Sequence, residues 1–231
     1  MKRIMTLILS VFITAAFVSA EIHPQAGIEG YLGANDLRSW TPWIGLRINV
    51  TAKSSFIAKY FLHNIHYEYL NNEGLKADQD FQMSNFTGVY YAQKWGHDFY
   101  AAVSYFTGTD DYQAAALDAG TELRVLPRLS IEAGTYILNE DSTLWYPEDE
   151  ERKIALYSIK GGLKYEILKG LFLTGRVNLY RNSEDVTAHS YVLDVTFVPF
   201  EPVYLNINYS RYTESAQYRF SGDYVSAGIN I

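Results

Sequence analysis

The feature that most constrains this chain is a period of two in its apolar residues. From Leu171 to Tyr180 the odd positions include Leu171, Leu173, Val177 and Leu179, and the even positions include Thr174, Arg176 and Asn178. Val203, Leu205, Ile207 and Tyr209 alternate with Asn206, Asn208 and Ser210 in the same way. Tyr191, Leu193, Val195 and Phe197 oppose Asp194 and Thr196, and Ile44, Leu46, Ile48 and Val50 oppose Arg47 and Asn49. Successive side chains of a strand point to opposite faces, so each run is a ribbon with one apolar and one polar face. After residue 20 no long stretch has helical apolar spacing or enough consecutive apolar residues for a membrane helix.

The same reading along the chain predicts strands near 26–34, 42–51, 55–69, 81–93, 98–108, 115–126, 129–138, 153–167, 171–181, 188–198, 203–212 and 218–230. The third and fourth are amphipathic on both faces, so their phase is open. The even-numbered strands end in short links around Ala52-Lys53, Trp95-Gly96, Pro127-Arg128, Lys169-Gly170 and Glu201-Pro202. The other links are mostly longer and acidic: Asn71 to Gly74, Thr109 to Asp111, Asn139 to Glu151 and Asn182 to Asp185. Short turns at one end and long loops at the other fit an all-β, closed antiparallel transmembrane β-barrel of about twelve strands, with ten or fourteen as alternatives.

Residues 1–20 read as a cleaved secretory signal. Lys2 and Arg3 precede an apolar stretch from Ile4 to Val18, and Ser19-Ala20 supplies a small-residue cleavage site before Glu21. Residues 21–231 are then one barrel domain. The chain has 231 residues and no cysteine, which excludes disulfides, thiolate metal sites and a cysteine nucleophile. Its net charge of -7 argues against nucleic acid as a partner.

Alternation alone does not say which face meets solvent. In lipid every backbone polar group must be paired within the protein, so a sheet must close, and its apolar face turns outward. The polar faces here carry Gly, Asn, Thr and charges of both signs rather than a Lys/Glu-rich solvated surface. Aromatics stand near strand ends, where interface girdles belong: Trp40, Trp43, Tyr69, Trp95, Tyr105, Trp145, Tyr146, Tyr157, Tyr180 and Tyr212. On these features the chain resembles bacterial outer-membrane β-barrel proteins as a class, with small porin-like channels nearest. The resemblance covers the leader and the remaining chain, and the final strand Tyr224 to Ile231 keeps alternation without the class's terminal aromatic. It implies the outer-membrane bilayer as surroundings and small hydrophilic solutes or ions as passing partners. No cofactor or metal is implied, and the oligomeric state is open.

Phase directs ten charges inward: Glu29, Arg47, Asp118, Glu122, Arg124, Glu132, Lys160, Lys164, Arg176 and Asp194. The turn at 126–128 brings Glu122, Arg124 and Glu132 together, and the turn at Lys169 sets Lys160 and Lys164 beside Arg176. An acidic wall next to a basic wall would give either a narrow pore with a transverse field or a lumen plugged by paired charges. In the long loops Trp145, Tyr146, Glu148 and Asp149 are candidates for ligand contact, and Glu140-Asp141 with Glu184-Asp185 add negative charge. Catalytic signals are weak. His63 and His66 fall on opposite strand faces, and His189-Ser190 are adjacent rather than facing. The Glu122/Glu132 pair could serve acid–base chemistry if the two are close, but Arg124 nearby favours a structural ion network. Gly161-Gly162 suggests a bulge or bend in mid-strand. A lipid- or glycan-processing enzyme, a non-transporting surface-binding barrel and a soluble periplasmic β-protein are the alternatives that the residues leave open.

Overall fold

The computed structural model describes residues 21–70, 76–109, 111–142, 152–215 and 221–231. They form β1 (Glu21–Leu32), β2 (Arg38–Thr51), β3 (Ser54–Leu70), β4 (Lys76–Lys94), β5 (His97–Gly108), β6 (Gln113–Leu126), β7 (Leu129–Ser142), β8 (Arg152–Leu168), β9 (Leu171–Asn182), β10 (Thr187–Phe200), β11 (Val203–Glu214) and β12 (Gly222–Asn230). Every strand is antiparallel to its chain neighbours, and β1 pairs with β12, so the sheet closes into a twelve-stranded barrel. Closure leaves no open edge, which is what a sheet in hydrocarbon requires.

The strand order is the expected one, and the differences lie at strand ends. β1 starts at Glu21, ahead of the expected start near 26, and contains Pro24. The β12 register begins only at Gly27, so Pro24 borders β2 alone and its missing N–H costs no ladder bond on the other side. β3 and β4 pair continuously up to Leu70 and Lys76, making the longest hairpin of the barrel. β7 runs to Ser142, so Glu140 and Asp141 are strand residues rather than loop residues. Gly161-Gly162 makes no bulge, because β8 keeps its register with β7 and β9 through both residues.

The short links are residues 52–53, 95–96, 127–128, 169–170 and 201–202. Four of the five hairpins they close carry a register shift beside the turn, at Asn49/Thr51, Arg124/Leu126, Glu166/Leu168 and Phe197/Phe200. Each shift is a bulge that keeps the parity of the inward face from one strand to the next. The β4–β5 hairpin has none. Its turn places Trp95 and Gly96 at φ 54 and 80, the left-handed pair of a tight hairpin turn. Parity flips there, so inward residues are odd-numbered in β1 to β4 and even-numbered from β5 onward.

The outward face is apolar through the middle of every strand. Ile44, Ile159, Leu163, Leu179 and Ile207 are each half or more exposed, a band that only a lipid surround would cover. At the loop end the outward positions turn polar abruptly, at residues such as Arg38, Asn64, Ser84, Lys153, Arg181 and Arg211. Placing a charge in the band should be costly. Leu163→Arg is expected to lose about 2–4 kcal/mol, read by urea unfolding of the protein in lipid vesicles. An unchanged unfolding midpoint would refute the lipid-facing assignment.

Candidate functional site

Inside the barrel, toward the short-turn end, lies a cavity of about 1140 Å³ lined by Arg47, Lys59, Asp98, Glu122, Arg176 and Asp194 among others. A second cavity of about 580 Å³ adjoins it and shares Tyr91, Asp98, Glu122 and Arg176. It extends past Asp118, Glu132, Tyr136, Lys160 and Tyr180. The interior is therefore hollow over this length and lined by charged side chains together with tyrosines.

The charges on β6 to β9 form three ion pairs. Lys160 Nζ donates to both Asp118 carboxylate oxygens at 2.9 and 3.1 Å. Lys164 Nζ donates to Glu122 Oε2 at 2.8 Å, and Arg176 Nε to Glu132 Oε2 at 2.6 Å. In each pair the partners are two strands apart, β8 with β6 or β9 with β7. Two strand spacings are about 9–10 Å, which only a long cationic side chain spans, and only over a low middle strand. The middle positions are small. Lys160 crosses Gly134, Lys164 crosses Ser130 and Arg176 crosses Gly162. A Cβ on Gly134 would lie 2.6 Å from Lys160 Cε, and one on Gly162 would lie 2.7 Å from Arg176 Cγ. Tyr100 completes the set by donating its hydroxyl to Asp118 Oδ1 at 3.0 Å.

The acidic and basic strands are thus adjacent, as expected, but their charges neutralise each other along one wall instead of facing across the lumen. Glu122 and Glu132 are direct cross-strand partners, which the flanking Lys164 and Arg176 make tolerable. Arg124 stands apart: it is exposed near the 127–128 turn and makes no ion pair among the described residues. Asp194 accepts from Thr196 Oγ1 at 2.9 Å, and Arg47 donates to Asn49 Oδ1 at 3.2 Å. Glu29 faces inward beside Thr41 and Gly228.

Lys59 is an inward charge that the sequence reading left out. Its ammonium sits 3.9 Å from the centre of the Trp43 ring, a cation–π contact that holds it on the β2–β3 wall. It was missed because the phase of β3 was open. Parity carried from Arg47 across the bulge at Asn49/Thr51 and the 52–53 turn would have placed it. The same parity moves Trp43, Tyr180 and Tyr212 from the expected outer girdle into the interior. Their neighbours two positions away, Gly45, Asn178 and Ser210, are all inward polar or small residues. Trp40, Trp95 and Tyr157 do lie outward and exposed.

Toward the loop end the interior becomes aromatic. Tyr67, Phe81, Tyr112 and Ala114 pack together with Ile65, Met83, Phe106 and Leu138. Across from them Tyr31 stacks on Tyr224 at 5.7 Å, and Tyr180 meets Tyr212 edge-on at 5.8 Å. Glu140, expected in an acidic loop, points inward opposite Ala114, while Asp141 points outward to Lys153 at 3.5 Å. Trp145, Tyr146, Glu148 and Asp149 lie outside the described residues, as do Tyr69's side chain and Asp110. Ser190 is buried and bonded to Asn178 and Tyr180, whereas His189 is on the lipid-facing side, so the two make no catalytic pair.

No family model matches this chain, and no curated protein does. Solved structures do. An outer-membrane channel from Pseudomonas putida F1 superposes with TM-score 0.65 at 9% identity, covering 91% of this chain and 94% of that one. The KdgM porin gives 0.57 at 10% identity over 89% of this chain and 97% of its own. The translocator domain of the autotransporter NalP from Neisseria meningitidis gives 0.59 at 9% identity, over 99% and 94%. The fold is that of bacterial outer-membrane β-barrels. Identities this low carry the outer-membrane barrel architecture and nothing finer, so the lumen of this barrel has to be read from its own residues.

Proposed function

We propose that this outer-membrane barrel is a narrow passive channel for ions or small hydrophilic solutes, exported through the signal in residues 1–20. The observation that carries the reading is the charged hollow described above, continuous from the short-turn end past Asp118 and Lys160. A plugged barrel would spend its charges across the lumen. Here the three pairs lie flat along β6 to β9, and Arg47 and Lys59 on the opposite side are held by Asn49 and Trp43, with no carboxylate among the described residues within 4 Å of either. The paired wall is close to neutral, which leaves Arg47, Lys59, Glu29, Asp98 and Asp194 to set the preference between anions and cations. That a porin and an outer-membrane channel are among the structural neighbours favours transport over catalysis, and no reacting group is assigned.

The test is conductance of the purified, folded protein across a planar bilayer under asymmetric salt. Discrete steps with a defined reversal potential are expected. Lys59→Gln together with Arg47→Gln should move that potential toward cation preference without altering heat-modifiable migration. Protein that is inserted and folded but never conducts would overturn the channel reading and favour a non-transporting barrel.

A further inference from the structure

The smaller of the two cavities is walled by tyrosines set on alternate strands. Tyr100 on β5, Tyr136 on β7 and Tyr180 on β9 all line it. The rings have small residues beside them. Tyr100 stands opposite Gly120, and Tyr136 and Tyr180 both stand opposite Ser158. A Cβ on Gly120 would lie 2.7 Å from Tyr100 Cε1 and 2.8 Å from its hydroxyl, so this ring lies flat over the glycine. Ser158 is only 6% exposed although it lines the cavity, because the rings on either side close over it. Each ring therefore gives one face to the wall and the other to the cavity.

Beside these faces stand hydrogen-bonding groups of both kinds. Among the described residues Arg176 gives only its Nε, to Glu132, which leaves both Nη groups as donors. Asn178 donates its amide to Ser190 Oγ at 2.9 Å and keeps its carbonyl oxygen as an acceptor. The charges that line the cavity hold no surplus cation. Lys160 is paired with Asp118, Arg176 with Glu132, and Glu122 with Lys164. Asp98 adds a carboxylate, bonded by the Gln93 amide at 3.2 Å. Arg47 and Lys59 line the adjoining cavity instead. An acidic solute finds no free cation here, whereas an uncharged polyol finds both donors and acceptors.

We propose that this cavity binds an uncharged saccharide of one or two rings, stacked on the tyrosines, with its hydroxyls bonded to Arg176, Asn178 and the Asp118–Lys160 pair. A sugar ring has an apolar face of axial C–H groups and a rim of hydroxyls that donate and accept. Aromatic faces bordered by polar side chains are its complement. The volume of about 580 Å³ falls within the range of small-molecule pockets, about 300–1,000 Å³. The inference rests on the channel reading and names its solute.

The test is blockage of the ion current through the reconstituted protein by maltose, cellobiose and lactose, with cellobiouronic acid as the acidic counterpart of cellobiose. At least one neutral disaccharide is expected to interrupt the current at millimolar concentration, and the acid to need about tenfold more than cellobiose. Y136A with Y180A should raise the half-blocking concentration about tenfold, whereas Y136F with Y180F, which keeps the rings, should leave it within about twofold. Because a wider lumen also weakens blockage, binding is read a second way, by saturation-transfer NMR on the folded protein in detergent. Irradiating the aromatic protons should carry saturation to the C–H protons of the blocking sugar, and the alanine pair should lose that transfer. If the alanine pair fails to fold, Tyr136→Leu alone should raise the half-blocking concentration about threefold. A conducting barrel that none of the three sugars blocks, an acid that blocks as well as cellobiose, or alanine variants that behave as wild type overturns the proposal and leaves the channel standing. Protein that never conducts but shows the transfer from its rings overturns the channel reading and keeps the sugar pocket.

Discussion

Replacing Lys164 and Arg176 by glutamine is expected to turn the lumen strongly cation-selective and to weaken the barrel. Both cations neutralise carboxylates that are direct cross-strand partners, Glu122 on β6 and Glu132 on β7. Without them two carboxylates face each other across one strand spacing, and like charges directly opposite destabilise a sheet. The charge count of the hollow falls by two at the same place. Under a tenfold salt gradient the reversal potential should move by half or more of the cation limit of about 59 mV. On stability the four side chains are 21% to 31% exposed, between the surface and buried regimes. Exposed pairs contribute about 0–1 kcal/mol and broken buried pairs cost about 3–5, so single R176Q should cost about 2 kcal/mol. The compensating variant E132Q/R176Q removes both members of its pair. Its potential should return to the wild-type value, and most of the lost stability should return with it. If R176Q moves neither the potential nor the unfolding midpoint, the geometry assigned to this wall is wrong.

How much of this was legible in the sequence depends on parity. Where a strand had one clearly apolar face, as in β9, β10 and β11, the inward set followed from reading alternate residues. Arg176 and Asp194 were placed that way, and the strands bearing Asp118, Glu122, Glu132, Lys160 and Lys164 are as clear. The phase of β3 and β4 stayed open because Tyr, Phe, His and Asn make both their faces amphipathic. At the loop end their outward face is polar, with His66 and Asp80 paired at 2.9 Å, and their inward face is apolar, with Tyr67 and Phe81 buried. That is the reverse of the mid-strand pattern, and it arises because the long hairpin rises past the apolar band. Lys59 was lost to that ambiguity, and Trp43 to the expectation that a tryptophan near a strand end belongs to a girdle. Pairing was one of the two expected arrangements, but across the lumen, and its actual course along one wall was not legible. It depends on reach across a middle strand, which alternation within single strands does not describe, although Gly134 and Gly162 marked the crossing points.

Those crossing points give the second prediction. Gly134→Val should abolish the Lys160–Asp118 pair and prevent normal folding. A Cβ there would meet Lys160 Cε at 2.6 Å, Ala119 O at 2.8 Å and Gly120 Cα at 3.3 Å. The lysine stem could swing away, but only by giving up Asp118, which would keep a Tyr100 hydrogen bond and no cation. The backbone contacts have no such escape, because Ala119 and Gly120 are held in the β6–β7 ladder. Overpacking costs about 1–3 kcal/mol, and a broken, partly buried pair adds to it. The comparison that isolates the cause is Gly175→Val on β9. Gly175 is outward, nothing lies within 4 Å of its added Cβ, and a β-branched residue suits a lipid-facing strand. G175V should fold with an unchanged or raised midpoint in vesicles, while G134V should lose heat-modifiable migration or unfold at far lower urea. Equal behaviour of the two would mean that glycine at 134 serves strand flexibility in general and not the passage of a lysine over it. Gly134→Ala separates the steps further: its single methyl still meets Ala119 O, so it should fold less stably than wild type. D118N added to it should cost little more, since the rung it removes is already broken.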